Sequence, residues 1–204
     1  MITIIGIAST IILILYLIDL KKNPISTKQM VVIAMLSAIA FILSLIEFIR
    51  YPQDGGISLC SMMPVMLLSL LYGRTAGLTG GIIFGLLSLL NGAYVVHPVQ
   101  FLLDYIFATM ALGLAGVFGS ESKLKAIMGS LLAVTVSVFV SFLSGVVFFG
   151  EFAPPRMGVA LYSFLYNFTT AGVEGILSIV VMAFIPLERF KKQISTESRV
   201  AWIK

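Results

Sequence analysis

Residues 67–105 read LLSLLYGRTAGLTGGIIFGLLSLLNGAYVVHPVQFLLDY, and Arg74 and Asp104 are their only full charges. One apolar run closes at Tyr72, a second occupies 75–93, and a third opens at Pro98. A helix crossing the hydrocarbon of a bilayer needs roughly 20 apolar residues, with about 17 as a working minimum. Breaks as short as 73–74 and 94–97 join such helices as antiparallel neighbours. The stretch therefore predicts consecutive membrane spans. It also raises the question of why the third run carries His97, Gln100 and Asp104.

The rest of the chain is of the same kind. Its 204 residues are 59% hydrophobic and 11% charged, with a mean hydropathy of +1.10. Soluble domains carry about a quarter charged residues, so the class is an all-α integral membrane protein whose first partner is the lipid bilayer. The net charge of +4 is no nucleic-acid footprint, because the basic residues flank apolar runs instead of forming a patch. Cys60 stands alone, which excludes an internal disulfide and matches no metal-ligand spacing, so no metal is expected. No phosphate loop, nucleophile elbow or dinucleotide fingerprint is present, so any ATP that drives this protein is hydrolysed by another chain.

Seven runs qualify as spans or nearly so: 2–19, 28–49, 57–72, 75–93, 98–118, 124–149 and 157–187. The third is short and carries Pro64. The first lacks the basic flank and small-residue cleavage site of a signal peptide, and is expected to cross the membrane or lie on its surface. The implied organisation is an extra helix over 1–20, a six-helix unit over 21–190 and a basic tail over 191–204. Of the 13 basic residues, 11 fall on one side of this arrangement and only Arg50 and Arg156 on the other. Positive residues concentrate in the cytoplasm, so the C-terminus is expected there, the N-terminus outside, and 50–57, 94–97 and 150–156 form the outer loops.

Small residues mark the helix contacts, since helices in lipid associate by close packing and hydrogen bonding. Gly73, Gly77, Gly81 and Gly85 recur every fourth residue; Ala111, Ala115 and Gly119 form a second ladder. Ala34 and Ala38 form a third, the one expected to meet another protein.

Carboxylates inside a bilayer are costly and usually face a cavity. Asp104 and Glu174 are the deep ones, and Glu47 sits nearer a helix end. His97, Gln100 and Asp104 are spaced to share one helical face. Ser130, Ser137, Ser141 and Ser144 form a stripe on the sixth run, while Tyr162, Tyr166, Asn167 and Glu174 mark the seventh. Singly each has an ordinary role: serines bond their own helix carbonyls, tyrosines anchor at interfaces, and His97 can be solvated. Together they describe a pocket open to the outside. An acid with tyrosines, an amide and Phe101 and Phe149 suits a flat cation, whereas an anion would call for an arginine that these spans lack.

The stretches YPQDGGISL (51–59), LLSLLYGRTAGLTGGIIFGLLSLLNGAYVVHPVQFLLDY (67–105) and LSGVVFFGEFAPPRMGVALYSFLYN (143–167) resemble the thiamine-specific S-components of energy-coupling-factor (ECF) vitamin transporters. The resemblance covers about residues 28 to 190 and rests most on HPVQxLLDY and YSxxYN. It implies a six-helix membrane subunit of an ABC-type importer, without enzymatic activity or cofactor, that captures thiamine. Its partners would be a transmembrane coupling subunit, met through Ala34 and Ala38, and two ATPases. The family's acidic ligand position matches Asp104, followed by Tyr105; Tyr94, Tyr162 and Asn167 match further pocket positions. Some members place tryptophan where Phe149 stands and histidine where Ser141 stands, and tryptophan and glutamate where Gly55 and Leu59 stand. These departures leave a thiamine precursor or related cationic heterocycle as the alternative ligand. An intramembrane enzyme using Asp104, Glu174 and His97, or a cation-coupled carrier, are the rivals from other classes. The first lacks a nucleophile paired with a base, and the second lacks a visible internal repeat.

Overall fold

The computed structural model describes residues 2–51, 55–92 and 94–201, the last seven as backbone only. Residue 1, the 52–54 tip of the expected outer loop, residue 93 and the 202–204 end of the tail lie outside these residues. Five helices are long and apolar enough to cross a membrane: α1 (Ile2–Lys22), α2 (Thr27–Ser44), α5 (Pro98–Gly116), α6 (Lys123–Phe148) and α7 (Val159–Phe184). Two shorter ones, α3 (Met63–Tyr72) and α4 (Arg74–Ser88), complete the bundle, and α8 (Leu187–Ala201) follows it. The chain is a multi-pass membrane protein.

Local chemistry starts and stops these helices. Ser26 caps α2 reciprocally with Gln29, the serine backbone N–H donating to Gln29 Oε1 at 2.9 Å and Gln29 N–H to Ser26 Oγ at 3.3 Å. Prolines 64 and 98 occupy first-turn positions of α3 and α5, where a missing N–H costs nothing. Gly73, at φ +90°, turns the chain between α3 and α4.

The second and third spans differ from expectation. Residues 47–50 leave the helical path as strand β1 (Glu47–Arg50), which pairs antiparallel with β2 (Gly56–Ser58) through Ile49 opposite Ile57 and Arg50 opposite Gly56. Helix α3 therefore begins at Met63 and not near 57. The reason is local: Phe48 and Ile49 favour extended backbone, and Asp-Gly-Gly at 54–56 is a hairpin turn signal that outweighs hydropathy. The fourth span ends early too, in a tight turn over Leu89–Asn91.

The bundle has a packed part and a hollow part. Val65, Met66, Leu112, Ala115, Ala133 and Met182 are nearly inaccessible and form one cluster joining α3, α5, α6 and α7. The α4 glycines are packed inside this bundle. A Cβ on Gly81 would overlap the backbone of Thr109 and Met110, and one on Gly85 the Tyr105 carbonyl. That close approach seats α5 against α4. By contrast, Ala34 and Ala38 are exposed while Ser37 and Ala40 are buried, so α2 turns its other alanine face outward. Helix α1 touches α4 and the Pro98–Phe101 turn of α5.

Candidate functional site

The ends of α2, α4, α5, α6 and α7, roofed by the β1–β2 hairpin, enclose a cavity of about 300 Å³. Its floor is Phe84, the edge of the packed half. Of the ten residues marked from the sequence as ligand-binding, Asp104, Tyr105, Tyr162, Asn167, Tyr94, Phe149, Ser141, Gln100 and Glu174 line this cavity. His97 does not. It caps α5, with Nδ1 accepting from Val99 N–H at 3.0 Å, and its ring stacks on Phe148 at 5.1 Å. An N-cap residue has non-helical backbone, so the helical face shared by Gln100 and Asp104 does not extend back to it.

Two π-wound turns build the site. Residues Leu102–Phe107 form one and carry Asp104 and Tyr105; Phe168–Gly172 form the other, between Asn167 and Glu174. Such insertions widen a helix and re-aim side chains, frequently at functional sites.

Asp104 is held from two sides. Gln100 Nε2 donates to its Oδ2 at 2.6 Å, and Ser144 Oγ, one helix over on α6, donates to the same oxygen at 2.8 Å. Oδ1 has no partner among the described residues. Gln100, only 1% exposed, is fully engaged: it also donates to the Tyr94 carbonyl at 3.2 Å and accepts from Val96 N–H at 3.2 Å. It positions the aspartate and has little left to offer a ligand. Across the cavity, the Asn167 amide N–H₂ donates to the Ser163 carbonyl at 2.9 Å and the Ser141 carbonyl at 3.4 Å. Its amide oxygen and the Tyr162 hydroxyl have no partner among the described residues. Tyr94 and Phe149, with ring centroids 6.0 Å apart, make an aromatic wall.

Glu174 is buried and committed. Ser58 N–H and Oγ donate to it at 3.3 and 2.8 Å, Ser61 N–H at 3.0 Å, and Ser61 Oγ as well. It anchors the strand end of the hairpin to α7. Glu47, the third carboxylate of the wall, meets Arg50 Nε at 3.0 Å. No Lys, Arg or His lines the cavity among the described residues. Several lining residues escaped the sequence reading, among them Gly56, Ser58, Ser61 and Asn91; Gly55, where some family members carry tryptophan, lines the cavity as well. The hairpin ones were detectable from the Asp-Gly-Gly turn; Ser58 and Ser61 carry no periodic signal that distinguishes them.

A cavity lined by three acids, aromatic rings and open hydrogen-bonding groups, in a multi-pass membrane bundle, is a small-molecule site suited to a polar cation. The match to known proteins agrees in kind. Residues 30–194 match the model of the thiamine transporter protein family (Thia_YuaJ), and the chain belongs to that family. It is 37% identical over 172 residues to the thiamine transporter ThiT of Bacillus subtilis, covering 77% of this chain and 89% of the relative. A second ThiT, from Lacticaseibacillus paracasei, is 30% identical over 179 residues, covering 78% and 88%. A solved structure of ThiT from Listeria monocytogenes superposes with a TM-score of 0.69 at 25% identity, covering 79% of this chain and 93% of that one. The S component of a bacterial ECF transporter shares the fold, with a TM-score of 0.54 at 23% identity over 76% and 93% of the two chains. The family read from the motifs is the one these matches give, and α1 precedes the matched residues.

Proposed function

We propose that this protein is the thiamine-binding S-component of an ECF-type importer, and that Asp104 is the counter-ion of the vitamin's cationic ring. One observation carries the reading: a bilayer-embedded carboxylate with one oxygen unpartnered, in a cavity with no basic lining residue among those described. Thiamine has a positively charged ring and an aminopyrimidine. The first suits Asp104 and the Tyr94–Phe149 wall, whose π faces attract cations; the second suits the open amide oxygen of Asn167 and the Tyr162 hydroxyl. Gln100 and Ser144 hold Asp104 in place, and Glu174 holds the roof. His97 is an entrance residue.

Uptake requires partners. The exposed Ala34–Ala38 face of α2 is the proposed seat of a transmembrane coupling subunit, which two ATPases drive, since small residues let helix backbones approach closely. The 21–190 unit carries binding. The pocket opens outside the cell, and the basic end with the C-terminus faces the cytoplasm.

Mass spectrometry of small molecules released from the gently purified protein tests the ligand, followed by calorimetry with thiamine, its pyrimidine precursor and an uncharged analogue. Thiamine is expected to be recovered and to bind most tightly. Preference for the uncharged analogue sinks the counter-ion reading. For coupling, Ala34→Trp and Ala38→Trp are expected to keep binding and abolish uptake by cells; uptake that survives both puts the seat elsewhere.

A further inference from the structure

Helix α1 lies outside the residues matched to the family, and the cavity makes no use of it. It is nonetheless docked specifically. Ile5, Leu13 and Tyr16 pack on the cluster formed by Leu78, Leu103, Ile106, Phe107 and Met110. Tyr16 and Thr79 share a hydrogen bond of 2.8 Å, and Asp19 receives Arg74 at 2.6 Å and Thr75 at 2.8 Å. Toward α5 and α6 the contact does not close. A lateral groove of about 510 Å³ remains, walled by Leu15, Phe107, Met110, Leu114, Val136 and Val140, with Asp19, Lys22 and Arg74 at one end.

At bilayer depth such a groove cannot stay empty or hold water. Its apolar walls offer water almost no hydrogen bonds, and a void forfeits the dispersion contacts of every atom lining it. Hydrocarbon is the occupant that its surroundings supply. The charged end selects among lipids. Asp19 and Arg74 neutralise one another, leaving Lys22 as the free charge lining the groove, with Lys21 next to it in the last turn of α1; neither has an ion-pair partner among the described residues. Two lysines at a membrane surface favour anionic headgroups, by roughly five-fold each.

We infer that the groove between α1 and the bundle binds an acyl chain of an anionic glycerophospholipid, with its phosphate against Lys21 and Lys22. Helix α1 is then the outer wall of a lipid site.

The test uses the full-length chain in mixed micelles of phosphatidylglycerol and phosphatidylcholine with matched chains, read by native mass spectrometry. The parent is expected to retain one phospholipid, with phosphatidylglycerol favoured. Lys21→Gln with Lys22→Gln is expected to keep the groove occupied but erase that preference, a loss of roughly twenty-five-fold. Val136→Trp fills the groove and is expected to release phospholipid of both kinds while the protein still elutes as a monodisperse species; Leu15→Trp does the same from the opposite wall should the first variant not fold. Detergent alone in the parent, no preference in the parent, a preference that survives loss of both lysines, or retention unchanged by a folded tryptophan variant overturns the inference. The lysine arm decides whether or not either tryptophan variant folds.

Discussion

Asp104 and Glu174 are both carboxylates in the wall of one cavity, the first within a π-wound turn and the second just past one, yet they are differently placed for binding. Glu174 is 6% exposed and accepts from four donors on Ser58 and Ser61. Asp104 accepts from two, both at Oδ2, and its Oδ1 has no partner among the described residues. A buried carboxylate with both oxygens engaged and four donors committed to it is a structural fastener, because displacing those donors would leave several buried groups unsatisfied. A carboxylate held rigid on one oxygen and open on the other is preorganised for a cation. The number of donors aimed at an acid decides its role more than its depth does.

The sharpest way to break this contrast is Asp104→Asn, which keeps shape and removes charge. It is expected to weaken thiamine binding by about 2–5 kcal/mol, roughly thirty-fold to several thousand-fold, while an uncharged analogue loses much less. Calorimetry on purified protein measures both, and equal thiamine affinity in the variant would end the counter-ion assignment.

Glu174→Gln supplies the complementary result. Replacing one acceptor oxygen by an N–H₂ group set against the Ser58 or Ser61 donors is expected to loosen the roof, costing about 1–3 kcal/mol for charged and uncharged ligands alike and lowering the melting temperature. If the loss is confined to thiamine, Glu174 belongs with Asp104 as a second counter-ion.

Gly85→Ala probes how α4 seats the aspartate. A Cβ there overlaps the Tyr105 carbonyl, so α5 must shift beside Asp104. Overpacking of about 1–3 kcal/mol is expected in thermal stability, with weaker thiamine binding. Binding that holds while stability falls would show that the shift is absorbed away from the site.

Tyr162→Phe and Asn167→Ala remove neutral partners, about 0.5–1.5 kcal/mol each in calorimetry. The smallest effect belongs to His97→Ala: affinity nearly unchanged, with a stability loss of up to about 1 kcal/mol from the vanished cap. A large affinity loss there would move the entrance residue into the site.

Much of this was legible before any fold was known. Gln100 and Asp104 are one helical turn apart, and their pairing follows from spacing along one element. Tyr162 and Asn167 likewise lie on a single helix, and YSxxYN marks them as a block. Hydropathy masks the hairpin, because Phe48, Ile49 and Ile57 are as apolar as a span, and only the Asp-Gly-Gly turn between them signals two strands. His97 was misplaced for a related reason: extrapolating a helical face backwards assumes helical backbone, which an N-cap does not have.

Amino-acid order by itself determined that the chain lives in a membrane and that Gln100 and Asp104 share one polar face. Those properties arise from transfer of each run into hydrocarbon and from the fixed geometry of residues on one helix. Only the tertiary structure decided which acid is open. The donors that engage Glu174 come from residues 113 and 116 positions away, and the serine that steadies Asp104 from 40 away. A hydrogen bond requires donor and acceptor within about 3 Å, and across such separations that distance exists only once the helices have packed.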